Sequence, residues 1–158
     1  MTARRVLWVG AAILGLYVLS MMLMPSDEKR IGKLVEKARV ACERKDVGTL
    51  MGLFDLSYRD DAGMTYASWN ALFRDAFRKY DDIRIRVLTK EVDVDDKGKD
   101  ATVTLTARGE ATLAATKGDA GRAADRPIGQ VENAEITLSK TPTGWKIRSA
   151  RNLHETEW

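Results

Sequence analysis

The sequence has one cysteine, Cys42, and one histidine, His154. A lone cysteine forms no internal disulfide, so packing must hold the fold. A single histidine close to the C-terminal end excludes a histidine-rich metal site, and zinc held by Cys42 would lack clear partners. Charge of one sign is also missing: 26 basic and 23 acidic residues leave a formal net charge of +3. With Arg4 and Arg5 set aside, the residues from Ser26 onward carry 24 basic and 23 acidic side chains. Nothing in that even spread resembles the clustered basic surface that nucleic acid requires, so no nucleic acid is expected as a partner. Asp93, Asp95 and Gly98 resemble part of a calcium loop. Lys97, however, takes a ligand position, and Thr104 stands where the bidentate glutamate belongs. Gly118 and Gly121 lack the Gly-Lys-Ser/Thr ending of a phosphate loop. The expectation is no metal and no cofactor.

Long apolar runs are scarce too, and the one present is informative. Val6 to Met24 is a 19-residue stretch without a charge, preceded by Arg4 and Arg5 and ended by Pro25. At helical rise it reaches roughly 28 Å, close to the thickness of a bilayer's hydrocarbon core. A cleaved secretory signal has a shorter core and an Ala-x-Ala-like site, where this chain has Met22 and Met24. A buried helix of a soluble core would need cover on every side. The run therefore reads as an uncleaved transmembrane helix over residues 6–25, behind a short basic tail at 1–5. Trp8 suits the membrane interface, and Ala11 with Gly15 forms a small-xxx-small pair for helix contact. Arg4 and Arg5 favour a cytoplasmic N-terminus, although Lys29, Arg30 and Lys33 flank the other end. The expected location is the bacterial inner membrane, with the C-terminal domain in the periplasm.

Residues 26–151 have the length of one small domain and contain no second apolar span. Its first half has helical periodicity. Ile31, Leu34, Val35, Ala38 and Cys42 recur at three- and four-residue steps, with Lys33, Glu36, Lys37 and Arg39 opposite, from a start near Ser26 or Asp27. On that apolar stripe Cys42 is expected to act as a small buried hydrophobe. Asp46 can cap a short second helix carrying Val47, Leu50, Met51 and Phe54, ending by Ser57. After the polar loop Tyr58 to Gly63, Thr65 can cap a third helix. Its stripe is aromatic: Tyr66, Trp69, Leu72, Phe73, Ala76, Phe77 and Tyr80.

Around Asp82 the period changes to alternation. Ile83, Ile85 and Val87 share one parity while Leu88, Val92 and Val94 have the other, which a one-residue bulge near Val87 to Thr89 reconciles. Asp95 to Lys99 reads as a hairpin turn, followed by the inward row Ala101, Val103, Leu105 and Ala107 on a strand that can run to Ala114. Thr116 to Pro127 has no apolar period and reads as a long hairpin loop. A third strand from about Gly129 to Lys140 turns inward Ala134, Ile136 and Leu138. Thr141 to Gly144 is a turn, and Trp145, Ile147 and Ser149 alternate with Lys146 and Arg148 in a fourth strand. The fold class is α+β, with about three helices packed on a curved four-stranded antiparallel sheet.

The run Arg44 to Leu50, the Tyr58 to Gly63 loop and the final-strand segment Gly144-Trp145-Lys146-Ile147 resemble the NTF2-like (cystatin-like cone) superfamily over roughly Asp27 to Arg151. The resemblance implies fold far more than activity, because that superfamily hosts isomerases, dehydratases, transport factors and assembly domains. A single N-terminal span before such a domain is also similar in layout to the inner-membrane assembly factor of type IV secretion systems, with no residue motif behind it.

The resemblance implies what NTF2-like enzymes such as ketosteroid isomerase use, a carboxylate base and hydroxyl or carboxylic acid donors inside the cone. The matching candidates are Asp60 or Asp61, with Tyr58, Tyr66 or Tyr80 as donors; a solvated loop and core tyrosines fit the same residues. The inward sheet rows are aliphatic and leave few polar groups to orient a substrate. Arg84, Arg86, Arg108, Lys146 and Arg148 fall on the outer sheet face, which fits an acidic partner or lipid headgroups, or a solvated surface. The 152–158 tail, ending at Trp158, is either a docking peptide or a frayed end. Together these readings favour a non-enzymatic accessory or assembly subunit whose partners are the bilayer and other membrane-protein subunits. The complex could be respiratory, photosynthetic or secretion-type. The alternative is a membrane-tethered small-molecule binder or ketosteroid-isomerase-like enzyme using the cone pocket.

Overall fold

The computed structural model describes residues 25–114 and 126–153, and of residues 126–132 the backbone alone. The apolar run with Trp8, Ala11 and Gly15 lies outside the described residues, as do Gly118, Gly121, His154 and Trp158. Among the described residues no helix is long and apolar enough to cross a membrane.

Each helix starts where a side chain satisfies an otherwise unpaired backbone N–H. Helix α1 (Asp27–Glu43) begins after Ser26, whose Oγ accepts from Lys29 N at 3.4 Å, and carries Asp27 and Glu28 in its first turn. It buries Ile31, Leu34 and Ala41. Lys45, at φ 57°, reverses the chain, and the Asp46 carboxylate caps helix α2 (Val47–Met51) by accepting from Thr49 N at 2.9 Å. Helix α3 (Tyr66–Lys79) starts at Thr65, whose Oγ1 accepts from Ser68 N at 3.3 Å, and ends with Arg78 and Lys79 at its negative pole.

Helix α2 stops at Met51, well short of Ser57. The chain after it pairs with the sheet: Ile147 N donates to Leu53 O and Asp55 N to Ile147 O, both at 2.8 Å. Phe54, read from the sequence as a helical residue, instead forms a parallel bridge with Ile147. Free strand edges are sticky, and this segment covers part of one.

The sheet comprises β1 (Tyr80–Val94), β2 (Asp100–Leu113), β3 (Arg126–Thr141) and β4 (Gly144–Arg151), all antiparallel in the order β1-β2-β3-β4. The bulge read from the parity change is present. Val87 pairs with Ala107 and Thr89 with Thr106, so Leu88 is the extra residue and stands 54% exposed instead of sharing the inward row with Val92 and Val94. In the β1–β2 turn Asp95 Oδ1 accepts from Lys99 N at 2.7 Å and Asp100 N at 3.0 Å, and Gly98 supplies φ +61°. That accounts for the calcium-like spacing as turn chemistry.

Two strand readings need correction. Strand β3 begins at Arg126, with Pro127 opposite Glu110, so both residues belong to the ladder and not to the loop. On β4, Leu138 pairs with Ile147 and Thr137 with Ser149, leaving Arg148 as a bulge. Because one extra residue reverses the faces, Ala150 and not Ser149 joins Trp145 and Ile147 in the core.

Helix α1 lies across the inner face of the sheet. The core joins Ile31 and Leu34 to Leu53, Tyr58, Ala101, Val103, Leu138, Trp145, Ile147 and Ala150. Ile31, Val103 and Leu138 are fully enclosed, each stabilising the fold by about 2 kcal/mol through burial. Helix α3 has no fully buried residue, and Leu72 on it is 46% exposed. An aromatic ladder holds it instead. Phe54 meets Tyr58, Trp69 and Phe73 at ring-centroid distances of 5.1, 6.4 and 6.2 Å, and Phe73 stacks on Phe77 at 5.9 Å.

Candidate functional site

Where α1 crosses the sheet, the two surfaces do not close completely. A cavity of about 160 Å³ remains inside the cone, between Val35, Ala38 and Cys42 of the helix and Ile85, Val87 and Leu105 of the sheet. This explains why Val35, Ala38 and Cys42 are only half-buried although they lie on the expected apolar stripe. The Cys42 thiol faces this space, and burial, with a smaller contribution from Glu43, pushes its pKa up to about 11. A thiol held there stays protonated at neutral pH and is a poor nucleophile.

Arg39 also contributes to the lining, against its placement on the polar side of α1. Its guanidinium is clamped by two carboxylates one turn away on either side. Nη2 lies 2.5 Å from Glu36 Oε1 and Nη1 2.6 Å from Glu43 Oε2. Glu43 Oε1 in turn accepts from Ile85 N at 3.0 Å, which fastens the end of α1 to β1. The Glu36–Arg39–Glu43 spacing is visible in the sequence as i,i+3 and i,i+4 pairs. Its tie to Ile85 is not.

Asp60, one of the two carboxylate candidates, is elsewhere and is buried, against the solvated-loop reading. Its Oδ1 accepts from Met64 N at 2.7 Å, and Oδ2 from Trp69 Nε1 at 3.1 Å and Tyr58 Oη at 3.3 Å. With the Asp60 N to Met64 O bond at 3.1 Å and Gly63 at φ +81°, these contacts close the loop that carries the aromatic helix. Burial pushes the Tyr58 phenol well above its ordinary range, and the Asp60 carboxylate adds to the shift, so Tyr58 remains a donor. Asp61 is exposed. Neither aspartate, nor Tyr58, Tyr66 or Tyr80, lines the cone cavity. Trp69, Phe73 and Trp145 do not fill it either.

The outer-face arginines are exposed but not assembled. Arg84 and Arg86 stand on β1, opposite Glu110 and Arg108 respectively, while Arg148 is on β4 at the far edge of the sheet. Three strand spacings separate them, roughly 14 Å. Among the described residues no group of three or more His, Cys, Asp or Glu side chains could hold a metal ion.

No protein-family model matches the chain, and no curated protein matches its sequence. Solved structures do match. Kfla4162 from Kribbella flavida superposes with a TM-score of 0.65 at 19% identity, covering 83% of this chain and 91% of that one. An NTF2-like protein with a cystatin-like fold from Novosphingobium aromaticivorans gives 0.57 at 16% identity, covering 89% and 84%. Bd1075 from Bdellovibrio bacteriovorus gives 0.60 at 17% identity over 78% of this chain, which spans 40% of that protein's length. The chain has the NTF2-like, cystatin-like fold. At these identities the likeness concerns the fold alone, and the cone cavity is one feature of this NTF2-like domain that could hold a ligand. Apart from Arg39, which is paired with Glu36 and Glu43, its wall is aliphatic and with the protonated thiol offers apolar contact, and Asp60 lies outside it.

Proposed function

We propose that the protein is a non-enzymatic accessory or assembly subunit of a bacterial membrane-protein complex. In this reading Val6–Met24 spans the inner membrane, and the NTF2-like domain makes contacts on the periplasmic side with other subunits of a respiratory, photosynthetic or secretion-type complex. The observation that carries it is the occupancy of Asp60. This buried carboxylate candidate accepts three hydrogen bonds, two from its own loop and one from Trp69 on α3, and lies outside the cavity. A domain with this fold and, among the described residues, no free acid–base pair facing its cavity is better suited to contact than to turnover. Extraction of the tagged full-length chain in mild detergent, followed by identification of what co-migrates at native size, tests this. A stoichiometric set of membrane proteins supports the reading, and a lone monomer or homodimer removes it.

The cavity itself favours a second reading, a tethered binder of a small apolar molecule. A space of about 160 Å³ is close to that of an engineered apolar cavity of about 150 Å³ that takes up benzene or xenon, and below the usual range for drug-sized ligands. Any occupant would therefore be small and uncharged. Titration with benzene or indole, compared between the parent and Ala38→Leu, which fills the cavity, tests it. Binding that survives the substitution places the ligand elsewhere.

A further inference from the structure

A second concavity, of about 520 Å³, opens between α1 and the β3–β4 hairpin and shares only Leu34 with the lining of the cone cavity. Its wall is cationic. Arg30, Lys33 and Lys37 reach it from one face of α1, at spacings of three and four residues, and Lys140 and Lys146 reach it from the hairpin. No carboxylate is among its lining residues. Asp27 lies beside it, already engaged: Lys140 Nζ is 2.8 Å from Asp27 Oδ2, and Trp145 Nε1 donates to Oδ1 at 3.2 Å. Asp46 and Asp55 act on Lys37 and Lys146 from outside the lining. Among the described ion pairs, Lys140 is the one cation of the five that takes part.

Arg30, Lys33, Lys37 and Lys146 take part in none of the described ion pairs, although Lys146 Nζ donates to Gly52 O. Gathering these like charges around one concavity raises the energy of the folded state, which a bound anion relieves. The position of the cleft favours a particular anion. Ser26 directly precedes α1, and Arg30 and Lys33 lie about 6 and 10 Å further along the helix axis. Lys140 and Trp145 are tied to Asp27, the first residue of the helix, which brings the hairpin wall to the same end. The headgroup layer on each side of a bilayer is about 5–8 Å deep. On the tethered reading, in which Val6–Met24 is the span, Ser26 would lie just outside the hydrocarbon core and the cleft would come within reach of lipid phosphates.

We propose that this cleft binds the phosphate-bearing headgroup of an anionic lipid and so fixes the domain against the membrane surface. The inference rests on the tethered reading above for the source of the anion. Basic residues beside a membrane contribute through the same chemistry in juxtamembrane polybasic segments. Here the contributing side chains come from a helix and a hairpin in a folded wall, which adds shape to charge.

The test titrates the full-length chain in a nonionic detergent with dihexanoyl phosphatidylglycerol, dihexanoyl phosphatidylcholine and inorganic phosphate, read by calorimetry. The variants are Lys33→Gln with Lys37→Gln and, as a charge-matched control on the outer sheet face, Arg84→Gln with Arg86→Gln. Saturable binding of phosphatidylglycerol is expected, weakened about tenfold by the cleft variant, unchanged by the control and reduced by added salt. Equal binding of phosphatidylcholine, or undiminished binding by the cleft variant at an unchanged Tm, overturns the proposal. Inorganic phosphate binding as tightly as the lipid also overturns it, since the site would then serve a free anion. Alkaline carbonate washing of native membranes is read alongside. Release of the chain with lipid binding intact removes the tether and supports the cleft, whereas retention of the chain without lipid binding removes the cleft and leaves the tether.

Discussion

The loop closed by Asp60 offers the sharpest test, because catalysis and architecture make opposite demands on that residue. Replacing Asp60 by alanine leaves Met64 N, Trp69 Nε1 and Tyr58 Oη without their acceptor. A buried donor without a partner costs about 1–3 kcal/mol, and Asp60 itself is only 7% exposed. Water can reach the part-buried Met64 and Trp69 groups, so the sum is closer to about 3 kcal/mol than to the upper limit. A domain of this size loses roughly 3–5 °C of Tm for each kcal/mol, which gives a drop of about 10 °C or more. Asp60→Asn keeps one carbonyl oxygen for Met64 N and can donate to Tyr58 Oη, but it turns an N–H toward Trp69 Nε1. Its cost should be about half that of alanine. The assay is thermal unfolding of the full-length chain in mild detergent, followed by near-ultraviolet circular dichroism, which reports the aromatic ladder directly. A Tm shift below 2 °C for Asp60→Ala would refute the reasoning, and the residue would return as a candidate for chemistry.

The remaining expectations concern other parts of the domain. At pH 8 the Cys42 thiol should react with iodoacetamide about two orders of magnitude more slowly than a free cysteine, because burial holds its pKa at about 11; equal rates would place it outside the cavity. The hydrogen bond from Lys140 holds the Asp27 carboxyl below its ordinary value, so it stabilises the fold above the ordinary carboxylate pKa, and that contribution is lost as pH falls through the depressed folded value. Asp27→Asn should therefore flatten the acid limb of stability against pH below about 4, which denaturant titrations at several pH values would check. Leu138→Ala, at a site 1% exposed, should cost about 2–5 kcal/mol, and equilibrium unfolding would measure it.

What could be read from the sequence was what local chemistry decides. Asp46 and Thr65 each cap the helix expected of them, and α1 starts where expected, with Ser26 as its cap, since a cap needs only its own oxygen and an N–H within three residues. The bulge at Leu88 was legible because inward residues exchange parity across it. The β4 bulge at Arg148 left no such trace. Ser149 is small and tolerable on either face, so the pattern does not show that the inward residue is Ala150. The end of α2 was likewise invisible, because Leu53 and Phe54 continue an apolar helical pattern that pairing with Ile147, far along the chain, overrides.

The site depended still more on contacts distant in sequence. Cys42 on an apolar stripe reads as core, and it becomes a cavity wall only because no facing side chain reaches it across the cone. Asp60 in a polar loop reads as solvated, yet Trp69 folds back nine residues later to donate into it. The same logic separates the two arginine and lysine groupings. Outer-face alternation puts Arg86 opposite Arg108 on adjacent strands, but Arg148 is at the other edge, so a pattern that looked like one surface is two. Arg30, Lys33 and Lys37 look like the ordinary polar side of α1. They form one wall with Lys140 and Lys146 because Asp27 ties residues 113 and 118 positions apart, and that distance in sequence is why the cleft has no local signature.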